Sequence, residues 1–368
     1  MCAIIGAINH KLDRLCLSRL YSRGPNNNGF YTHNKVNLAH ARLSVVDAEG
    51  GNQPMQSISG NSVIVFNGEI YNAKELNRKH KSDTRVLLEY YEKYGIEKTL
   101  NDINGMFSFA IFDKVQNKIF LARDRLGVKP LFYYHKDGKM IFCSEISPIK
   151  DQIGINNLSI NKVALSTYFR LFFIPSPSTI WNEINSLKQG HYLSFDLNTN
   201  KSICKTYWKL ATPQRSKTKI SELEDLIENA SIIRTRSDVP YSMFLSGGID
   251  STLITKYLST FNKNLQTYTV EIQDSNLNES EYSNIAAKTF KTKHSSIKLK
   301  NKNILISNLR QLVSRFGQPF ADLSIIPYDA VSKEIGSRSV VALGGDGADE
   351  SFCGYDIYSN TTGTIQDL

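Results

Sequence analysis

The hydrophobic period changes once along this chain, near residue 215, and no single sheet or helical bundle accommodates both sides of the change. Before it, short runs rich in β-branched and aromatic residues alternate with turns, and Ser62–Phe66, Met106–Asp113, Lys118–Ala122 and Leu131–Tyr134 read as strands. One helix interrupts them, Thr84–Tyr94, where Leu87, Leu88, Tyr91 and Tyr94 recur at three- and four-residue spacing. After the change, strand and helix alternate. Ser221-x-x-Glu224 predicts a capping box, with Leu223, Leu226, Ile227 and Ala230 as the apolar stripe of its helix. Strand Tyr241–Leu245, helix Thr252–Leu258, strand Thr267–Ile272, helix Glu279–Phe290 and strand Ser339–Leu343 follow. That order predicts a parallel α/β sheet. Residues 148–215 are irregular and contain Ile174-Pro175-Ser176-Pro177, which neither a helix nor a central strand tolerates, so they read as a connector. The division expected is 1–147, 148–215 and 216–368.

Composition excludes several classes. No apolar run is long enough to span a membrane. Asn9, His10, Lys11 and Asp13 end the first apolar stretch too early for a signal peptide, so a cytoplasmic location is expected. Five cysteines without a Cys-x-x-Cys pair argue against a disulfide framework and a zinc site. The net charge of +9 comes from scattered lysines rather than a basic stripe interleaved with aromatics, so nucleic acid is not an expected partner. A mild positive field suits anionic small substrates.

Cys2 is the most informative single residue. Removal of Met1 would place a thiol and a free α-amine on one residue, giving a nucleophile its own base without any histidine. In the second half, Leu245-Ser246-Gly247-Gly248-Ile249-Asp250-Ser251 stands between a strand and a helix, where glycines and serines form a nest of backbone N–H groups for phosphate. No Gly-Lys-Ser/Thr follows, so it is not a Walker A loop. A second loop, Gly344-Gly345-Asp346-Gly347-Ala348-Asp349-Glu350, also follows a strand. Two such loops at strand C-terminal ends are what a nucleotide site in an open α/β sheet requires.

Cys2 is followed in order by Arg23-Gly24-Pro25, Ala41-Arg42-Leu43-Ser44-Val45-Val46-Asp47, Asn67-Gly68-Glu69-Ile70-Tyr71-Asn72, Ser82-Asp83 and Arg123-Asp124-Arg125-Leu126-Gly127-Val128-Lys129-Pro130-Leu131. On these motifs the first half resembles the glutaminase domain of class II amidotransferases. The resemblance implies an Ntn-type α+β sandwich, two antiparallel sheets between helices, with Cys2 as nucleophile. It implies Asn67 and Gly68 as oxyanion donors, Arg42 as a bidentate partner of the glutamine carboxylate, and Glu69 with Asp83 for the ammonium. Leu43, Ser44, Val45 and Val46 complete the implied glutamine site. The bland readings are a hairpin turn at Asn67-Gly68, a helix cap at Asp83, and architectural roles for Arg23-Gly24-Pro25 and the Gly127 loop. Ala3 and Asn26 depart from the residues usual in the family.

The loop at 245–251 resembles that of ATP pyrophosphatases, and both halves together resemble asparagine synthetases. The second half is then an α/β ATP-pyrophosphatase-like domain. Leu245, Ser246, Gly247, Gly248, Asp250, Ser251, Val270, Gly344 and Gly345 would bind ATP, Asp250 and Asp349 would bind Mg2+, and Asp346 would act in acyl-adenylate formation. Asp250 or Ser251 as a plain helix cap is the bland reading. The implied reaction converts aspartate, glutamine and ATP to asparagine, glutamate, AMP and pyrophosphate, with another carboxylate such as a sugar acid as rival acceptor. A homodimer is a family expectation. Family members continue in a long helical segment past the second loop, whereas a polar tail, Asp356 to Leu368, stands here. The expectation is an incomplete second domain with exposed apolar surface and weak synthesis, beside a working glutaminase.

Overall fold

The strand Ala3–Ile8 (β1) contains no polar residue, and all six of its side chains are buried. A strand reads this way when both faces of its sheet are covered. Ile4 and Ile8 enter the layer between two sheets, while Ala3, Ile5 and Ala7 face a layer of helices. Gly6 lies on the inter-sheet face, where a Cβ would collide with the ring of Phe142.

The computed structural model describes residues 2–211, 219–271, 279–298, 302–322 and 324–355. Within the first part the further strands are Asn27–His33 (β2), Val36–Arg42 (β3), Met55–Gln56 (β4), Ser62–Ile70 (β5), Gly105–Asp113 (β6) and Lys118–Arg123 (β7). Phe132–Lys136 (β8), Lys139–Cys143 (β9), Ile184–Ser186 (β10), His191–Asp196 (β11) and Lys201–Thr206 (β12) complete the set. They form two six-stranded sheets, ordered β10-β8-β9-β1-β3-β2 and β12-β11-β7-β6-β5-β4. Every pairing within them is antiparallel. Ile4, Leu38 and Phe142 of the first sheet meet Val65, Ala110 and Leu121 of the second in one apolar layer. The outer face of the first sheet packs on Leu17, Leu20, Ile146 and Ile149, and that of the second on Val86, Leu87, Tyr91 and Leu100. This is the expected sandwich of two antiparallel sheets between helices.

The central helix runs Asp83–Asp102, longer than the expected Thr84–Tyr94, and bends at Gly95, whose φ of +76° falls outside the helical region. Tyr94 is exposed rather than on the buried stripe, and Val86 takes part in the core instead. The expected connector supplies β10, β11 and β12, which extend both sheets. Their three- and six-residue lengths and polar, partly exposed edges hid them from periodicity. Residues 303–323 also belong to this unit. Trp181 donates its indole N–H to the Gly317 carbonyl at 3.2 Å, and Gln318 accepts the Ile180 N–H at 3.4 Å.

In the second unit, Tyr241–Phe244 (β13), Gln266–Glu271 (β14), Lys293–Lys298 (β15) and Val341–Leu343 (β16) form a parallel sheet ordered β15-β14-β13-β16. The chain winds outward from β13 to β15, then returns to add β16 on the other side of β13. β15, Lys-His-Ser-Ser-Ile-Lys, is an edge strand whose polar composition carries no strand signal. The helix expected at Ser221 begins at Ile220, and its reciprocal contact is one step earlier, Lys219 N–H to the Glu222 carboxylate at 3.4 Å. Leu223 and Leu226 of its expected stripe are exposed. Ile272 and the tail Asp356 to Leu368 lie outside the described residues. No described helix is long and apolar enough to cross a membrane.

Candidate active sites

The ladder of the first unit fixes where its functional side chains point. Residues 4 and 8 of β1 enter the inter-sheet layer, so Cys2 begins the same face by the two-residue alternation of a strand. The register Ala3↔Ala41 places Arg42 opposite Cys2, and His40 opposite Ile4. In the second sheet Val65 and Ala110 face the same layer, so Asn67 and its direct partner Ser108 do too. Cys2, His40, Arg42, Asn67 and Ser108 therefore share one face-to-face layer, at the end where apolar residues give way to polar ones.

Cys2 is half-buried, and burial pushes its thiol above the usual range. The Leu43 N–H, 3.4 Å from Sγ, and the Arg42 charge act the other way, while the Asp83 carboxylate reinforces burial. Sγ in turn lies 3.6 Å from the Leu43 carbonyl. The expected glutamine residues 43–46 thus begin in contact with Cys2.

Asn67 is 1% exposed, and neither its Oδ1 nor its Nδ2 has a hydrogen-bond partner among the described residues. Ser108 Oγ is buried in the same condition. Such atoms are uncommon in folded proteins and call for an explanation. Asn67-Gly68 is not a hairpin turn, since both residues lie inside β5. β4 pairs with β5 only as far as Ile64, and beyond it the edge of β5 is open. There the Phe66 N–H is taken by Gln53 Oε1 at 2.6 Å, and the Ile70 N–H by Asp83 Oδ2 at 3.0 Å. By the alternation of an antiparallel ladder the Gly68 N–H points to the same open side. A side chain at Gly68 would collide with the Met106 carbonyl.

Asp83 is the first residue of its helix and Ser82 the cap, accepting the Arg85 N–H at 3.4 Å, so the capping reading for Asp83 does not hold. Burial raises the Asp83 carboxyl. Arg42 differs from the expected free fork. Its guanidinium donates to the carbonyls of Val46, Asp47 and Ala48 and to Asn52 Oδ1, engaging four of five N–H groups and holding the loop after Leu43. Asn26, a departure from the family pattern, accepts the Ser44 N–H through Oδ1 at 2.9 Å, a role that needs only an acceptor.

Arg123 and Asp124 are architectural. Arg123 donates to the Gly127, Lys129 and Leu187 carbonyls, and Asp124 accepts the N–H groups of Phe107, Leu126, Val128 and Lys129. They bury Lys129, whose pKa falls to about 8 through desolvation and Arg23, opposed by Asp124, Glu69 and Cys2. Lys129, quoted in sequence only as part of its motif, acts electrostatically on Cys2, and His40, on the same strand face as Arg42, was not singled out at all. The signal for His40 was present: it keeps step with Leu38 and Arg42 on an apolar strand.

In the second unit the two expected loops meet at the reversal of strand order, between β13 and β16. Gly247 has φ of +101°, and a Cβ there would lie 2.7 Å from Ser283 N, so the turn admits only glycine. Ser246 Oγ accepts the Gly248 N–H at 3.2 Å and lies 3.0 Å from Ser251 Oγ. The helix Ile249–Phe261 then presents its N-terminus. Gly345 of the second loop packs on that end, for a Cβ on it would be 3.1 Å from Ser251 N and 3.2 Å from Asp250 Cβ. Burial raises the Asp250 carboxyl, and the neighbouring Asp349 charge raises it further. Two carboxylates held together in this way are hard oxygen donors suited to Mg2+. Asp346 accepts the Tyr328 hydroxyl at 2.7 Å. Beside it, a cavity of about 240 Å3 is lined by Phe244, Leu245, Ser246, Tyr268, Val270 and Tyr328. Leu245 and Val270, expected at the nucleotide, are thus together. A roomier cavity of about 450 Å3 in the first unit, around His10, Lys136 and Lys139, contains none of the expected residues.

Residues 1–208 match the glutamine amidotransferase domain family, and residues 222–366 match the asparagine synthase family. The chain is 36% identical to a Methanocaldococcus jannaschii protein provisionally named asparagine synthetase [glutamine-hydrolyzing] 2, covering 92% of this chain and 71% of that protein. It is 32% identical to asparagine synthetase [glutamine-hydrolyzing] 1 of Bacillus subtilis, covering 97% of this chain. With asparagine synthetase [glutamine-hydrolyzing] 2 of the same organism it shares 36% identity over 76% of its length. The chain spans 59% and 41% of those two Bacillus proteins.

Proposed function

This chain belongs to the glutamine-hydrolysing asparagine synthetase family, and on that premise we propose that it transfers glutamine nitrogen to a carboxylate activated by ATP. The observation that carries the glutaminase half is the buried Asn67 carboxamide, without a partner among the described residues and facing the same layer as Cys2. Its Nδ2 and the Gly68 N–H are the two donors that a tetrahedral oxyanion at the glutamine amide would use. Cys2 Sγ attacks that amide carbon. Burial keeps the thiol protonated, so the α-amine freed by Met1 removal takes its proton and delivers one to the leaving ammonia. Water then releases glutamate from the thioester. Arg42 supports this site by shaping the loop after Leu43 and by its charge. Asp83 and Glu69 supply negative charge for the substrate ammonium.

In the second half the carboxylate of the acceptor attacks the α-phosphorus of ATP, pyrophosphate leaves, and an acyl-adenylate forms. Ammonia then displaces AMP to give the amide. The cavity between Leu245, Val270 and Tyr328 suits the base, and the turn 246–249 suits the phosphates. Asp250 and Asp349 would hold Mg2+, which neutralises phosphate charge when bound. Asp346, which accepts the Tyr328 hydroxyl, is the carboxylate assigned to the adenylate in this reading. Aspartate is the acceptor that the family implies. The test measures glutamate, AMP and amide together, with aspartate set against a panel of sugar acids and other carboxylates. Amide formation from aspartate and not from the other acids is expected, at a rate well below that of glutamate release. AMP release only with another acid would reassign the substrate, and no glutamate release would overturn the glutaminase half.

A further inference from the structure

Before β4 begins, Phe66 has no strand to pair with on the edge of β5 away from β6, and two side chains take the place of one. Gln53, two residues before β4, accepts its N–H. Its carbonyl is met at 3.1 Å by Nε2 of His40, which stands on β3 in the opposite sheet. A carbonyl only accepts, so Nε2 carries the proton of this imidazole. Burial depresses its pKa to about 3, which keeps the ring neutral. Nδ1 is then a bare acceptor, buried and without a partner among the described residues.

The position of this bond matters more than its strength. His40 is two residues from Arg42, the partner of Cys2 in the first sheet. The Phe66 carbonyl belongs to the same planar peptide as the Asn67 nitrogen. One hydrogen bond therefore ties the strand beside the nucleophile to the peptide from which the Asn67 carboxamide hangs. The Gly68 N–H follows one residue later on the same open edge. Apolar packing between the sheets does not fix such a distance, because it is non-directional. A hydrogen bond with one donor and one acceptor does.

We propose that His40 is a positioning residue for glutamine hydrolysis, a neutral cross-sheet tie that sets the oxyanion donors Asn67 and Gly68 at their working distance from Cys2. The proposal rests on the glutaminase reading above. Displacement of an oxyanion donor acts on the transition state and leaves ground-state binding largely unchanged, so the loss should fall on kcat.

The experiment compares the full chain with His40→Leu and His40→Gln by steady-state glutamate release, alongside thermal unfolding. Leucine removes the donor, whereas the glutamine amide N–H reaches about where Nε2 stands. The expected result is a kcat lowered about 10- to 100-fold in His40→Leu with KM within about threefold, and recovery to within about threefold of wild type in His40→Gln. Should His40→Leu not fold, the kcat of His40→Gln carries the test by the same limit. Equal impairment of both folded variants, a loss confined to KM, or a His40→Leu kcat within twofold of wild type would overturn the tie. A wild-type chain that releases no glutamate overturns the glutaminase reading, and the positioning role with it.

Discussion

The two units build their sites from opposite materials. In the first, Cys2, Asn67, Ser108 and His40 are side chains locked on the inner faces of two antiparallel sheets. In the second, Gly247, Gly248 and Gly345 contribute backbone at the ends of parallel strands, and carboxylates such as Asp250, Asp346 and Asp349 supply charge. A ladder with both faces covered can hold an unpaired carboxamide in place before any substrate arrives. A turn at a strand end instead offers N–H groups and awaits an anion. The first arrangement should be sensitive to the identity of buried side chains, and the second to charge and to glycine.

The largest expected effect separates the two chemically. Cys2→Ala should lower glutamate release by about 10³-fold or more while leaving ATP affinity unchanged, measured on the same preparation. A change in ATP affinity would mean that the two sites are not independent. Asp250→Asn should do the converse, weakening Mg2+-dependent ATP binding about tenfold without altering glutamate release. Equal affinity with and without Mg2+ would leave Asp250 as part of a helix start only.

Glycines sharpen the comparison further. Gly68→Ala meets the Met106 carbonyl inside a sheet, and should destabilise the first unit by about 1–3 kcal/mol as read from its thermal transition. Gly345→Ala meets Ser251 N at 3.1 Å in a loop that can shift, and should weaken ATP several-fold with little loss of stability. Reversal of that ranking would break the distinction between ladder and turn.

The last effect is a slope rather than a step. His40 is neutral when folded, with its pKa lowered from 6.5 to about 3. Between these values the unfolded chain binds a proton that the folded chain does not, so stability falls as pH drops through that window and is fully present above pH 6.5. His40→Gln should remove about 1.4 kcal/mol per pH unit from that acid limb. An unchanged limb in denaturant titrations would show that His40 is protonated in the fold.

Where the polypeptide's own pattern was strong, the fold was legible from sequence. Met106–Asp113 and Lys118–Ala122 are strands within a residue at either end, and the parallel alternation after Tyr241 is as read. β10, β12 and β15 escaped notice because short or half-exposed strands need not be apolar. Asn67 and Gly68 were legible as a motif, but their exposure to an open strand edge depends on β4 beginning only at Met55, which no local pattern announces. Arg42 shows the reverse, a residue assigned to substrate whose fork is already occupied by its own loop. Tyr328 and Asp346 are separated by 18 positions, and only the folded chain joins them.

The central place of β1 in its sheet has a consequence for synthesis. β1, which directly follows Cys2, is made well before one of its neighbours, β9, which ends at Cys143. Its six apolar residues must therefore remain without their full pairing while the 135 residues from Asn9 to Cys143 are made, at roughly 5–20 residues per second. During those seconds Ala3–Ile8 is an unprotected β-forming segment of the kind that nucleates aggregation, free of charge and proline. Its hairpin-like partner β3 becomes available much earlier, after Arg42, and can shield one edge. The yield of active protein should thus depend on translation rate and chaperone supply more than the stability of the finished sandwich would suggest.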